Sequence, residues 1–217
     1  MPRCDPSPSP LVVAAACAAF VLAAPACAAA RPDLARMALA AADVSPTAKV
    51  VKQGYADQKP YVAFYARLIR SRAQPVGRAR ITGVESDIGL FEEADEAALA
   101  LGGIFLADAG DFRRQVARDL RVPVKGVHVG RVDDVRVGDG GALVPVRVES
   151  GRRRLSLTEA YFTLDRVFGA LYVYSRTPVA RGRITRLARR AAAHVREELL
   201  PRQPAAPAFA GLVPASR

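Results

Sequence analysis

An α+β fold is predicted: one antiparallel β-sheet of about five or six strands, with helices packed on it and a C-terminal amphipathic helix across it. Three features carry this reading. Val122 to Arg176 runs through one β-type segment after another with turn chemistry between them. Glu92 to Ala107 switches to a helical period. Ile184, Leu187, Ala188, Ala191, Val195 and Leu199 then draw one apolar stripe across about four helical turns.

In chain order, residues 1–30 read as an export signal outside the fold. Arg3 and the α-amino group form a positive start, Leu11 to Ala24 is uninterrupted and apolar, and Pro25 precedes Ala26, Ala28 and Ala30 at A-x-A spacing. Cleavage after Ala28 or Ala30 leaves a thiol-free mature chain, because Cys4, Cys17 and Cys27 all precede the cut. Two other readings compete, an uncleaved anchor over Leu11 to Ala30 and lipidation at Cys27, although Ala24-Pro25-Ala26 lacks the usual lipobox. Each places the remainder outside the cytoplasm, secreted or in the cell envelope, with membrane contact through this segment only.

Residues 31–200 are expected to form a single domain. Ala35 to Ala42 starts a helix that Asp43-Val44-Ser45-Pro46 stops. Ala48 to Tyr55 reads as a first strand with Gly54 as a bulge. Tyr61, Phe64, Tyr65, Leu68 and Ile69 fit a helical stripe, so Tyr61 to Ile69 is assigned to helix although its aromatic residues also suit a strand. Arg78 to Phe91 is a second strand, with Val84, Ile88 and Leu90 on one parity. The helix over Glu92 to Ala107 contains Gly102-Gly103, which implies close packing or a break. Asp111 is placed to cap a further short helix.

The central meander follows. Val144, Val146 and Val148 alternate with Pro145, Arg147 and Glu149, bounded by Gly138-Asp139-Gly140-Gly141 and Ser150-Gly151. Such pairs are hairpin signals because Gly, Asn and Asp reach positive φ at low cost. Arg153 to Asp165 and Ala170 to Ser175 complete the meander, with a turn over Asp165 to Gly169. The last helix opens after Thr177-Pro178, and residues 201–217, rich in Pro and Ala, read as a disordered tail.

The 217 residues carry a formal charge of +11, and the only lysines are Lys49, Lys52, Lys59 and Lys125. The excess is arginine, which fits coding bias and a solvated surface better than a dedicated nucleic-acid site, so no specific nucleic-acid partner is expected. A thiol-free domain excludes a cysteine nucleophile and a cysteine-ligated zinc. His128 and His194 lie in no metal spacing, so no metal or cofactor is expected.

The remaining candidates are weighed by type. Glu92, Glu93, Asp95 and Glu96 fall in the first turn of a helix, where the backbone dipole favours negative charge. Glu85, Asp87, Asp133 and Asp134 are the carboxylates to test for acid/base work, should separate elements bring them together. Tyr172 and Tyr174, sharing a sheet face with Arg147 and Arg153, would make an aromatic and guanidinium groove for a sugar, lipid or nucleotide.

Ala42-Asp43-Val44, then Ala48 to Tyr55, Gly83-Val84-Glu85-Ser86-Asp87, a helix pair, Val137-Gly138-Asp139 and a last helix together resemble a group of uncharacterised secreted bacterial proteins. The order of elements is more distantly similar to extracytoplasmic lipoprotein and sensor domains of the PsbP/Mog1-like kind, over about residues 34–200. That resemblance implies location and architecture and brings no catalytic residues. The function expected is a non-enzymatic extracytoplasmic module binding an envelope protein, a lipid or a wall polymer. A carboxylate-dependent hydrolase and a structural protein adhering to anionic surfaces through its arginine-rich helix are the alternatives.

Overall fold

β-Branched residues at a spacing of two extend the middle of the chain, and the strands they form organise the rest. The computed structural model describes residues 32–71, 80–151 and 153–200. Strands β1 (Ala48–Ala56), β2 (Ala63–Ser71), β3 (Ile81–Leu90), β4 (Val127–Val129), β5 (Asp133–Asp134), β6 (Gly140–Ser150), β7 (Arg153–Leu164) and β8 (Val167–Ser175) form one 8-stranded sheet in the order β1-β2-β3-β8-β7-β6-β4, with β5 also on β6. Every ladder between them is antiparallel. The α+β class holds, and the strand count exceeds the five or six expected because Ala63–Ser71 is a strand and β4 and β5 are short additions. The export segment, the lipidation reading at Cys27 and the Pro/Ala tail lie outside the described residues.

The helical reading of Tyr61 to Ile69 is corrected. Tyr65 and Ile69 are buried on one side of β2 and Phe64 on the other, so both faces are apolar and the period of two disappears from the sequence. The bulge in β1 also moves, from Gly54 to the register shift between Val50 and Lys52.

Helices cover both faces. On one lie α1 (Leu34–Met37), α2 (Ala41–Val44) and α5 (Arg181–Leu199), closing a core of Leu34, Met37, Val84, Ile88, Phe162 and Leu171. The α5 stripe is as expected, with Ile184, Leu187, Ala188, Ala191 and Val195 all buried. The other face is covered by α3 (Ala94–Leu106) and α4 (Ala109–Asp119), over Val144, Val146, Leu157 and Phe168. None of these helices is long and apolar enough to cross a membrane.

Local chemistry explains the helix ends. The Ala35 to Ala42 helix is two separate turns, and Arg67 donates to the carbonyl of Ala35 in the first (2.8 Å) and to those of Ala38 (3.3 Å) and Leu39 (3.0 Å) between them. Asp43 begins the second turn, its carboxylate accepting from the Ala40 amide at 2.8 Å. That carboxylate also meets Arg190 Nε at 2.8 Å and His194 Nε2 at 3.1 Å, tying α2 to α5. At α3, Glu96 accepts from the amides of Glu92 (3.2 Å) and Glu93 (3.3 Å), so this acidic run serves the helix start. The α4 cap is Asp108 rather than Asp111. Gly102 and Gly103 neither break α3 nor pack closely, since a Cβ at either would meet nothing within 4 Å.

Candidate functional site

A strand sends alternate side chains to one face, so the register of β3, β8 and β7 determines which residues meet beneath α4. Glu85, Tyr172 and Glu159 lie side by side across the three strands. Gly83, Tyr174 and Leu157 form the row on one side, and Asp87, Ala170 and Tyr161 the row on the other. Glu85 and Glu159 therefore flank Tyr172 with backbones about 10 Å apart, two strand spacings.

Three adjoining hollows form a trough along α4. The central one, about 250 Å³, is lined by Glu85, Asp87 and Glu159 from the sheet and by Val116 and Asp119 from α4. The second, about 370 Å³, shares Glu159, Asp119 and Tyr172 and extends between α3 and α4 to Tyr61, Ile104 and Phe112. A third of about 460 Å³ continues past Glu85 and Tyr174 to Leu68 and Arg70. Among the described residues, no Lys, Arg or His lines the first two.

The polar groups are unevenly satisfied. The Tyr174 hydroxyl donates to Glu85 Oε2 at 3.3 Å, and the Tyr161 hydroxyl donates to Glu159 Oε2. Asp87 Oδ1 is buried and has no hydrogen-bond partner. Burial, with the neighbouring Glu85 charge adding to it, pushes the Asp87 carboxyl from 3.8 up to about 8. Burial likewise pushes Glu159, only 4% exposed, from 4.5 up to about 7, with the Tyr161 hydrogen bond pulling the other way and the Asp119 charge adding to the rise. Burial is also the main reason the Tyr161, Tyr172 and Tyr174 phenols are raised, and it keeps them protonated. At neutral pH Asp87 thus stays mostly protonated in the trough, able to donate as well as to accept.

The structure assembles only part of what the sequence nominated. Glu85 and Asp87 face the trough together. Asp133 and Asp134 do not join them: β5 pairs with β6, and Asp133 meets Arg181 at 3.5 Å while the Asp134 carbonyl accepts from Arg181 at 2.8 Å. Arg147 does not join Tyr172 and Tyr174 in an aromatic and guanidinium groove. Arg147 alternates with Val146 and Val148 and points to the opposite face from Tyr172 and Tyr174, toward Arg176 and Pro178. Arg153 pairs with Ser150 at the hairpin end of β7. Sequence reasoning missed Glu159, whose signal is its place between Leu157 and Tyr161 on the inward parity of β7. Among the described residues no group of three or more His, Cys, Asp or Glu is placed to hold a metal ion.

No family model and no curated protein matches this chain. Among solved structures, the extracellular domain of PknH from Mycobacterium tuberculosis is similar at 11% identity and a TM-score of 0.49, over 76% of this chain and 95% of that one.

Proposed function

We propose that the protein is an exported, non-enzymatic binding module whose ligand occupies the trough between α4 and the sheet. The convergence of Glu85, Asp87, Glu159 and Tyr172 from three strands, with Asp87 Oδ1 unpartnered, is the observation that carries this reading. A buried acceptor without a donor costs about 1–3 kcal/mol, which a ligand donor would recover. Hollows of about 250 and 370 Å³ suit a small molecule or the terminal unit of a wall polymer better than a protein surface. Export rests on the signal pattern of residues 1–30, and the PsbP/Mog1-like likeness is part of the same proposal. The test is a fragment set containing amines, sugars and aromatic acids, followed by ¹⁵N–¹H correlation spectra. Shifts gathered on β3, β7, β8 and α4 are expected, whereas shifts scattered over the surface or gathered near Arg147 would refute the proposal.

One observation favours a second reading, a carboxylate-dependent hydrolase. Asp87 and Glu159 sit on strands either side of β8 with pKa values raised to different extents, as acid and base partners require. Turnover of chromogenic glycosides or esters that disappears in Glu159→Gln would establish it. Adhesion through α5 gains less support, because Arg181, Arg189 and Arg190 already bond within the fold.

A further inference from the structure

We propose that the trough selects an organic cation, a primary ammonium carried on an apolar body, with the ammonium at Asp87 and Glu159 and the body against Tyr61, Phe112 and Tyr172. This rests on the reading of the trough as the ligand site and adds the chemical class of the ligand.

The chain as a whole is strongly basic at +11, so its overall field draws anions. The trough runs against that field. Glu85, Asp87 and Glu159 on the sheet and Asp119 on α4 all line the central hollow, and among the described residues no basic side chain lines it. Among the described residues Arg70 lines the third hollow, beyond Glu85. Carboxylates at a helix start or on an open surface have water or backbone amides as partners. Here Asp87 Oδ1 is cut off from solvent and has no hydrogen-bond partner, and once the carboxyl ionises this atom is satisfied by a ligand N–H.

The walls narrow the class further. A hard divalent cation needs about six to eight oxygen ligands, and the described residues offer no group of three or more ligating side chains. Aromatic rings replace them: Tyr61, Phe112, Tyr161 and Phe168 surround the second hollow, and Tyr172 lines both. Ring faces attract ammonium groups and accommodate an apolar body, and they offer nothing to an anion. The Asp87 carboxyl is raised by burial and then by the Glu85 charge, and that of Glu159 by burial and then by the Asp119 charge; an arriving ammonium lowers them again and displaces a proton.

The test uses the full chain and three probes that share a phenylethyl body, 2-phenylethylamine, 2-phenylethanol and 3-phenylpropionate, by calorimetry and ¹⁵N–¹H correlation spectra. The amine is expected to bind at least about tenfold more tightly than the alcohol, and the carboxylate not at all. Asp87→Asn and Glu159→Gln should each weaken the amine by about tenfold and leave the alcohol unchanged. Asp119→Asn, at an exposed position that does not endanger folding, should weaken it about two- to threefold. If the alcohol or the carboxylate binds the trough as tightly as the amine, the choice of a cation is refuted and the trough remains a ligand site. If none of the three shifts the resonances of β3, β7, β8 and α4, both the cation and the site are refuted.

Discussion

Asp87→Asn should stabilise the protein, and by more as the pH rises. In the folded chain the Asp87 carboxyl titrates at about 8 rather than 3.8, because burial and then the Glu85 charge disfavour its ionised form. Between those values the folded state keeps a proton that the unfolded state has released. Wild-type stability therefore falls with increasing pH from about 4 to about 8, at about 1.4 kcal/mol per pH unit for this one group. Asn is close in shape and does not titrate, so the variant escapes the fall. From pH 5 to pH 7 the gap between the two proteins should widen by about 2 to 3 kcal/mol, or about 5–10 °C in Tm for a chain of this size. Urea denaturation at half-unit pH steps measures it. Glu159→Gln is the companion: its gap should widen over the same interval and flatten near pH 7, about where the Glu159 carboxyl titrates in the fold. A gap for Asp87→Asn that stays constant between pH 5 and pH 8 would mean that Asp87 ionises as it does in water, and the description of the trough as a desolvated acidic site would be wrong.

Other substitutions test the scaffold. Asp43→Ala removes the acceptor shared by the Ala40 amide, Arg190 and His194 and should cost about 1–3 kcal/mol, whereas Arg190→Ala, at an exposed partner, should cost under about 1 kcal/mol by the same denaturation assay. Arg67→Lys cannot reproduce a fork that reaches the Ala35, Ala38 and Leu39 carbonyls along with Gln53 and Tyr65, so a loss of about 2–3 kcal/mol is expected. Faster amide exchange across residues 34–44 should accompany it. Gly103→Ala should raise stability by about 0.5–1 kcal/mol, because the helix runs through an open position there and the glycine has only its entropic cost. Equal or lower stability would mean that α3 needs the glycine.

Legibility in the sequence followed how far a residue's surroundings are local. The meander strands β6 to β8 and the α5 stripe were readable because one covered face and nearby turns leave a period in the chain. At the β7–β8 turn Asp165 takes a φ of 52°, and at the start of β6 Gly138 takes 63°, both the left-handed backbone that such residues signal. β2 was lost because Phe64 and Tyr65 are buried on opposite faces. The parity of Val84 and Ile88 already placed Glu85 and Asp87 on the other side of β3. What a single strand does not encode is that α4, contributed by a stretch thirty or so residues on, roofs that side and turns a solvent face into a trough. Asp133 and Asp134 looked like partners for them through composition alone, and pairing with β6 sends them to Arg181 instead. Glu159 was passed over although it shares the parity of Leu157 and Tyr161, because only the pairing of β7 with β8 sets it beside Tyr172 and across from Glu85.

The carboxylates of the chain divide by what they do for folding. Asp43, Glu96 and Asp108 accept backbone amides at helix starts and contribute stability there. Asp87 does the opposite: at pH 7 the displacement of its ionisation amounts to about 4 kcal/mol against a typical total of about 5–15. Val144 and Leu157 occupy equivalent inward positions on the same face and show that an aliphatic residue fits this layer. A packing role therefore does not account for Asp87 beside Glu85, nor for Glu159 across Tyr172. This burden, at positions whose neighbours follow the pattern of a covered sheet, supports the proposed ligand site. The stabilising effect expected of Asp87→Asn and the loss of amine binding expected of the same substitution are thus two consequences of one desolvated carboxyl, and they should appear together in a single variant.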